Sequence, residues 1–153
     1  MISTVSTIPS GSAALSIVLV ENVRRNGRSE WTLPGGVLDP GETLLGTAGR
    51  EVEEESGARV VEWGGFAYAV HRILEPLEIQ LVVHVFVAAA WEGPLRAADP
   101  DGIVQTVEIT PRDRLAVRMP DSAFHEPLLA WLDDPAPHLY EYGWSGGGGS
   151  VRR

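Results

Sequence analysis

Three glutamates recur at the spacing of neighbouring positions on one side of an α-helix, at Glu51, Glu54 and Glu55 in the segment TLLGTAGREVEEES. This spacing predicts that their carboxylates lie together near the C-terminal end of a helix over residues 43–56. Their mutual repulsion and the negative end of the helix dipole disfavour this arrangement unless a cation or water offsets the charge. The cluster indicates either a site for a hard divalent cation or a solvated acidic face, and the charges alone favour the solvated face.

A longer pattern surrounds this cluster. Residues 36–58 fit G-x5-E-x7-R-E-U-x-E-E-x-G-U, where U is an apolar residue. The defined positions are Gly36, Glu42, Arg50, Glu51, Val52, Glu54, Glu55, Gly57 and Ala58. The pattern resembles the Nudix box, and the preceding Trp-Thr-Leu-Pro-Gly-Gly resembles the lead-in that is usual in this family. The resemblance favours a metal site over a solvated face and identifies the chain as similar to Nudix (MutT-like) hydrolases.

The resemblance implies an α/β fold, a Nudix-type α/β/α sandwich with a mixed β-sheet, in which the box forms a loop–helix–loop. It implies one to three Mg²⁺ or Mn²⁺ ions held by the carboxylates of Glu51, Glu54 and Glu55 and by the carbonyl oxygen of Gly35. The catalytic residues that it implies are Arg50, Glu51 and Glu54, with Arg50 orienting a carboxylate through an ion pair. The supporting residues that it implies are Gly36, Glu42 and Gly57.

The activity that the resemblance implies is hydrolysis of a nucleoside diphosphate linked to another group, in a nucleoside triphosphate or an ADP-ribose-like compound. Water attacks phosphorus and a nucleoside monophosphate is released. The general base stays open among Glu51, Glu54 and acids of the loop at residues 91–102, where Asp101 is the main candidate. Turn formation around Pro100 is the alternative role for Asp99 and Asp101. A catalytically silent Nudix-fold module that senses a nucleotide is the alternative function, and an unrelated domain with an acidic helix requires the box to be a coincidence.

Substrate contacts are expected from side chains near this site. Arginines on a predicted loop suit phosphate binding, although a solvated loop is the alternative, and an aromatic ring either stacks on a base or packs in the core. The candidates are Arg24, Arg25, Arg28, Trp31, Arg72 and Asp101.

The composition excludes several other chemistries. The 153-residue chain has a net charge of −9, which disfavours binding to duplex nucleic acid. It has no cysteine and no lysine, which excludes disulfides, cysteine-bound zinc and a Schiff-base lysine. No apolar run approaches the roughly 18 residues of a membrane span. The start of the chain has no signal-peptide pattern. We therefore expect a cytoplasmic protein with a small nucleotide substrate and no membrane contact, and a homodimer is compatible with the family resemblance.

The order of predicted elements indicates one domain. Strands are expected over residues 13–23, 31–33, 59–72, 78–91 and 103–109, with a break at Gly64-Gly65, and a second helix over residues 127–133. Gly57 is expected to end the first helix. We expect a flexible segment at residues 1–12, a single domain at residues 13–143, and a Gly-rich flexible tail at residues 144–153.

Overall fold

The computed structural model describes residues 2–9, 16–74, 79–143 and 150–152. Within these residues the strands are β1 Ile2–Pro9, β2 Ser16–Val23, β3 Ser29–Thr32, β4 Gly35–Val37, β5 Arg59–Leu74, β6 Ile79–Glu92, β7 Val104–Pro111, β8 Leu139–Tyr142 and β9 Ser150–Arg152. Its α-helices are α1 Leu44–Ser56, α2 Leu115–Arg118 and α3 Ser122–Asp133, and a 3-10 helix at Arg112–Arg114 precedes α2.

The strands form two sheets. The larger sheet has the order β4-β1-β6-β5-β8-β9, in which β1 runs parallel to β6 and β5 parallel to β8, while the other neighbours are antiparallel. The smaller sheet, β3-β2-β7, is antiparallel throughout. Two sheets combined with helices confirm the predicted α/β class and its mixed sheet.

A long hairpin of β5 and β6 is the centre of the larger sheet. Its pairing extends from Arg59 opposite Glu92 to Leu74 opposite Ile79. The predicted break at Gly64-Gly65 does not occur, because the backbone absorbs the two glycines as register shifts within a continuous strand. Gly65 has a φ of +97°, a conformation that glycine adopts without steric cost.

The predicted flexible N-terminal segment is wrong for residues 2–9. These residues form β1, which lies inside the larger sheet between β4 and β6 and buries Val5, Thr7 and Ile8 completely. Their β-branched side chains suit a strand, but two serines and two threonines make the segment polar, so its burial is not evident from the sequence. Residues 10–15 lie outside the described part of the chain.

The C-terminal half also differs from the prediction. Helix α3 begins five residues before the predicted start at Pro127, because the Asp121 carboxylate accepts a hydrogen bond from the backbone N–H of Ala123 and caps the helix there. Strand β8 was not predicted. The flexible tail is wrong at residues 150–152, which pair with β8 through backbone groups that an edge strand leaves free. Residues 144–149 lie outside the described residues.

The central hydrophobic core joins both sheets to the C-terminal helices. Ile8 of β1, Ile17 and Leu19 of β2, and Leu115 and Leu128 of the helices belong to one buried cluster. Helix α1 packs against β1 and β4. The strand at the N-terminus therefore links the core to the helix that carries the box. Within the described ranges, no helix is both long and apolar enough to cross a membrane.

Replacing Ile8 with alanine tests the structural role of β1. Because Ile8 is fully buried, Ile8→Ala is expected to lower the free energy of unfolding by about 2–5 kcal/mol. Chemical denaturation measures this change, and Val117→Ala is the control because the Val117 side chain is 65% exposed. Equal and small effects of the two substitutions would contradict the position of β1 inside the sheet.

Candidate active site

Helix α1 has defined ends that position the box. The Thr43 hydroxyl oxygen accepts a hydrogen bond from the N–H of Gly46 at the start of the helix. At the other end Gly57 has a φ of +78°, and its N–H donates to the carbonyl oxygen of Glu53. A Cβ on Gly57 would lie 2.6 Å from the carbonyl oxygen of Pro94. Only glycine fits there, so the predicted helix end at Gly57 is confirmed.

The glycines of β4 bring backbone close to the carboxylates. A Cβ on Gly35 would overlap the carbonyl oxygen of Val5 in the paired strand. A Cβ on Gly36 would lie 2.5 Å from the carboxylate of Glu51. The Glu51 side chain therefore occupies the space that a larger residue at position 36 would fill. This explains why position 36 is a glycine.

Arg50 connects three box glutamates. Its Nε and Nη2 atoms donate to the two carboxylate oxygens of Glu42 at 2.9 and 3.0 Å. Its Nη1 atom lies 3.0 Å from Glu51 Oε1 and 3.3 Å from Glu54 Oε2. The hydrogen bonds from Arg50, with weaker contributions from the Thr47 hydroxyl and the Asp39 N–H, lower the pKa of Glu42 to about 2. Arg50 thus has the geometry that the resemblance implies for an orienting residue.

Burial opposes the negative charge of Glu51 and Glu55. Burial raises the pKa of Glu55 to about 7, and the charges of Glu51, Asp99 and Glu54 add to the rise. The N–H of Gly35 donates to Glu55 Oε1 at 2.7 Å and lowers this pKa in part. The pKa of Glu51 is also raised by burial, against the charge of Arg50. Both carboxylates are therefore poorly stabilised as anions.

The donor set suits a hard divalent cation. Glu51, Glu54 and Glu55 provide carboxylate oxygens only, and oxygen is the ligand that Mg²⁺ prefers. Within residues 2–9, 16–74, 79–143 and 150–152, no three His, Asp or Glu side chains are already spaced to hold a metal ion. The reason is local, because Arg50 holds Glu51 and Glu54 while the Gly35 N–H holds Glu55. The residue types fit the ion, and these oxygens would have to turn toward it to bind it.

A cavity of about 510 Å³ reaches the two glycines of β4 that lie beside Glu55 and Glu51. Gly35 and Gly36 line its edge. One face of the larger sheet forms its floor, where the register aligns Thr4 of β1 with Val83 of β6 and Val70 of β5. The opposite wall includes Met119, Asp121, Ala123 and Phe124 from the start of α3 and the residues before it.

The structure brings one of the predicted substrate residues, Arg72, into this cavity. The ring of Trp31 instead packs against the core with the Arg118 guanidinium 4.7 Å from its centroid. Asp101 is exposed, in a turn held by Asp99, whose carboxylate accepts N–H groups from Asp101, Ile103 and Val104. The turn-forming role considered for Asp99 is therefore confirmed.

The loop arginines lie between β2 and β3. Arg24, Arg25 and Arg28 are exposed, and Arg24 pairs with Glu30 at 2.7 Å. The cavity is also lined by Glu30, Asp121 and Phe124, which the sequence did not predict as site residues. Asp121 could have been recognised as a capping residue before a helix. It was not, because the helix was predicted to start at Pro127.

The raised pKa of Glu55 predicts an unusual dependence of stability on pH. Since the pKa of about 7 in the folded protein exceeds the usual glutamate value of 4.5, the folded state retains this proton more strongly. In the metal-free protein, stability should therefore fall as pH rises from 4.5 to 7, by at most about 3 kcal/mol from this group.

Glu55→Gln removes this loss and keeps an acceptor for the Gly35 N–H. The variant should be more stable than the parent chain at pH 8 and similar to it at pH 4.5, measured by urea denaturation with a chelator. Glu53→Gln is the control, because Glu53 is exposed on the same helix. Parallel pH profiles for the parent chain and Glu55→Gln would refute the burial of this charge.

Comparison with known proteins shows the family of this chain. A family model described as NUDIX domain matches residues 4–132. Human 8-oxo-dGDP phosphatase NUDT18 is 42% identical over 41 residues, a match that covers 27% of this chain and 13% of that protein.

Two solved structures share the fold. The MutT protein from Bacillus halodurans has a TM-score of 0.74 at 18% identity, over 99% of this chain and 95% of that one. The NUDIX domain of Shewanella oneidensis NrtR, solved in complex with ADP ribose, has a TM-score of 0.67 at 19% identity, over 86% of each chain. Because the family model matches most of its length, the chain belongs to the NUDIX domain family.

Proposed function

We propose that this protein hydrolyses a nucleoside diphosphate linked to another group, with Mg²⁺ or Mn²⁺ as cofactor. The observation that carries the proposal is the position of Gly35 and Gly36, which contact Glu55 and Glu51 and also line the cavity. A ligand in this cavity would therefore lie beside the carboxylate cluster. A cavity of about 510 Å³ falls within the range of roughly 300–1,000 Å³ that is usual for small-molecule sites.

The box residues have separate roles in this proposal. Glu51, Glu54, Glu55 and the carbonyl oxygen of Gly35 would hold one to three ions. A divalent ion held there would supply positive charge to the phosphate oxygens and would lower the pKa of a water molecule. Arg50 keeps Glu51 and Glu54 oriented through its ion pairs. Glu42 is a support, because both of its carboxylate oxygens are engaged by Arg50.

The proton of the attacking water needs an acceptor. Glu51 and Glu54 are the stronger candidates, because both lie on the face of α1 that carries the cluster. Asp101 is the weaker candidate for this acceptor, because it is exposed in the turn after β6. The reaction then releases a nucleoside monophosphate and a second phosphorylated product.

Nucleotides are the proposed substrates. The names of two similar proteins support this class, since one acts on 8-oxo-dGDP and the other was solved with ADP ribose. The net charge of −9 agrees with a polyanionic substrate only if cations mediate the contact. The homodimer and the cytoplasmic location stay predictions.

A sensing module is the second candidate. The NrtR domain in its complex with ADP ribose favours it, because that structure concerns binding of a nucleotide compound. The complete set of box carboxylates favours turnover, because a sensor has no need of every catalytic group. Product formation separates the two functions.

Assays with nucleoside triphosphates, nucleoside diphosphates and ADP-ribose in Mg²⁺ at alkaline pH test the proposal. Glu54→Gln should lower kcat by at least about 100-fold, because a lost ligand weakens the charge stabilisation at the reacting phosphorus. Glu53→Gln is the matched control, since it removes the same charge from the neighbouring, exposed position. Binding without any product would support the sensor, and equal activity of the two variants would contradict the role of Glu54.

A further inference from the structure

Arg118 joins the two outer strands of the smaller sheet. Its guanidinium lies 4.7 Å from the centroid of the Trp31 ring on β3. Its Nε and Nη2 atoms donate to the two carboxylate oxygens of Glu108 on β7, at 3.1 and 2.6 Å. Because β2 lies between β3 and β7, the contacts of Arg118 extend across the sheet. These three side chains form the Arg118 cluster.

The contacts of Arg118 depend on the planar guanidinium group. Two parallel N–H bonds to one carboxylate are stronger and more directional than a single ion pair. The same group attracts the face of an indole ring within about 6 Å. The side chains of Arg118 and Glu108 are only 33% and 31% exposed, so water screens their charges less than in a fully exposed pair. The Arg118 side chain is therefore held in one position.

Two walls of the cavity begin at members of this cluster. Residues 32–33 come directly after Trp31 and line the cavity, and Met119 comes directly after Arg118 and also lines it. The carbonyl oxygen of Met119 accepts a hydrogen bond from His125 Nδ1 at 2.6 Å, which fixes this segment against α3. The Arg118 cluster therefore connects the β3 wall of the cavity to the wall before α3.

The other end of each wall has a separate attachment. The β3 wall continues into Gly35, whose N–H donates to Glu55. The wall before α3 continues to Asp121, which pairs with Arg72 of β5 at 2.9 Å. Without the Arg118 cluster, each wall would keep its own attachment but lose a direct link to the other wall.

We propose that Arg118 is a positioning residue that sets the separation of these two walls and thereby the affinity of the cavity for its ligand. When only a fraction of the molecules has the walls at the correct separation, the apparent affinity falls by that fraction. The chemical step depends instead on the carboxylates of α1, which Arg50 and the Gly35 N–H hold. This inference rests on the proposed function in taking the cavity as the substrate site.

Arg118→Leu separates affinity from turnover. Leucine keeps an apolar side chain but removes the two N–H bonds and the attraction to the ring. KM for a nucleotide that the chain hydrolyses should therefore rise about tenfold, while kcat changes by less than about twofold. Arg114→Leu is the control, because it removes the same charge from an exposed position in the 3-10 helix. An unchanged KM, or a lower kcat at unchanged KM, would overturn the role of Arg118.

Two substitutions of Trp31 test the contact on β3. Trp31→Phe keeps an aromatic face for the guanidinium, whereas Trp31→Leu keeps only apolar volume. KM should stay within about threefold of the parent value in the phenylalanine variant and rise about tenfold in the leucine variant. Equal KM values in the two variants would mean that Trp31 acts through packing alone, which contradicts the proposal.

Hydrogen exchange in the ligand-free chain tests the link between the walls without a substrate. In Arg118→Leu, the backbone amides of residues 29–33 and 119–124 should exchange faster than in the parent chain, whereas those of α1 should be unchanged. Arg118→Lys should show a smaller increase, because lysine keeps the charge but cannot form two parallel bonds to Glu108. Unchanged exchange in either wall would overturn the proposal.

The outcomes distinguish this inference from the proposed function. A chain that hydrolyses no nucleotide, but in which Arg118→Leu loosens both walls, refutes the function and supports the role of Arg118. A chain that hydrolyses nucleotides with the same KM before and after this substitution refutes the role of Arg118 alone. Arg118→Lys retains the charge and gives the same comparison where the leucine variant fails to fold.

Discussion

Repulsion among the carboxylates of Glu51, Glu54 and Glu55 is the constraint on which the site depends. The periodicity of α1 places them together, and burial adds a desolvation cost that raises the pKa of Glu51 and Glu55. Arg50 and the N–H of Gly35 offset part of this cost. A divalent cation would offset more of it, because it brings two positive charges to the centre of the cluster.

Close approach of the backbone makes this arrangement possible. The β4 glycines let the strand lie against β1 on one side and against Glu51 on the other. Strand β1 is also part of the cavity floor, so one buried strand connects the helix that carries the carboxylates to the cavity. Gly57 ends α1 where Pro94 crosses its C-terminus, which keeps the loop after β6 beside the site.

Local patterns predicted α1 and the box well, because helix spacing, the capping glycine and the turn at Asp99 depend on neighbours in the sequence. The ion pair between Arg72 and Asp121 was not predictable in this way, since the two residues meet only when α3 packs on β5. Strand β1 was not predicted for a similar reason. Its serines and threonines are covered only when the strand pairs with β4 and β6. Trp31 is an aromatic residue that could stack on a base, but its packing against Arg118 depends on the tertiary fold.

Titration of the metal-free chain with Mn²⁺, followed by electron paramagnetic resonance at pH 8, tests the central claim most directly. The account predicts saturable binding of one to three ions that is lost when Glu51 and Glu54 are both replaced with glutamine. Absence of saturable binding, or equal binding by the doubly substituted chain, would contradict it.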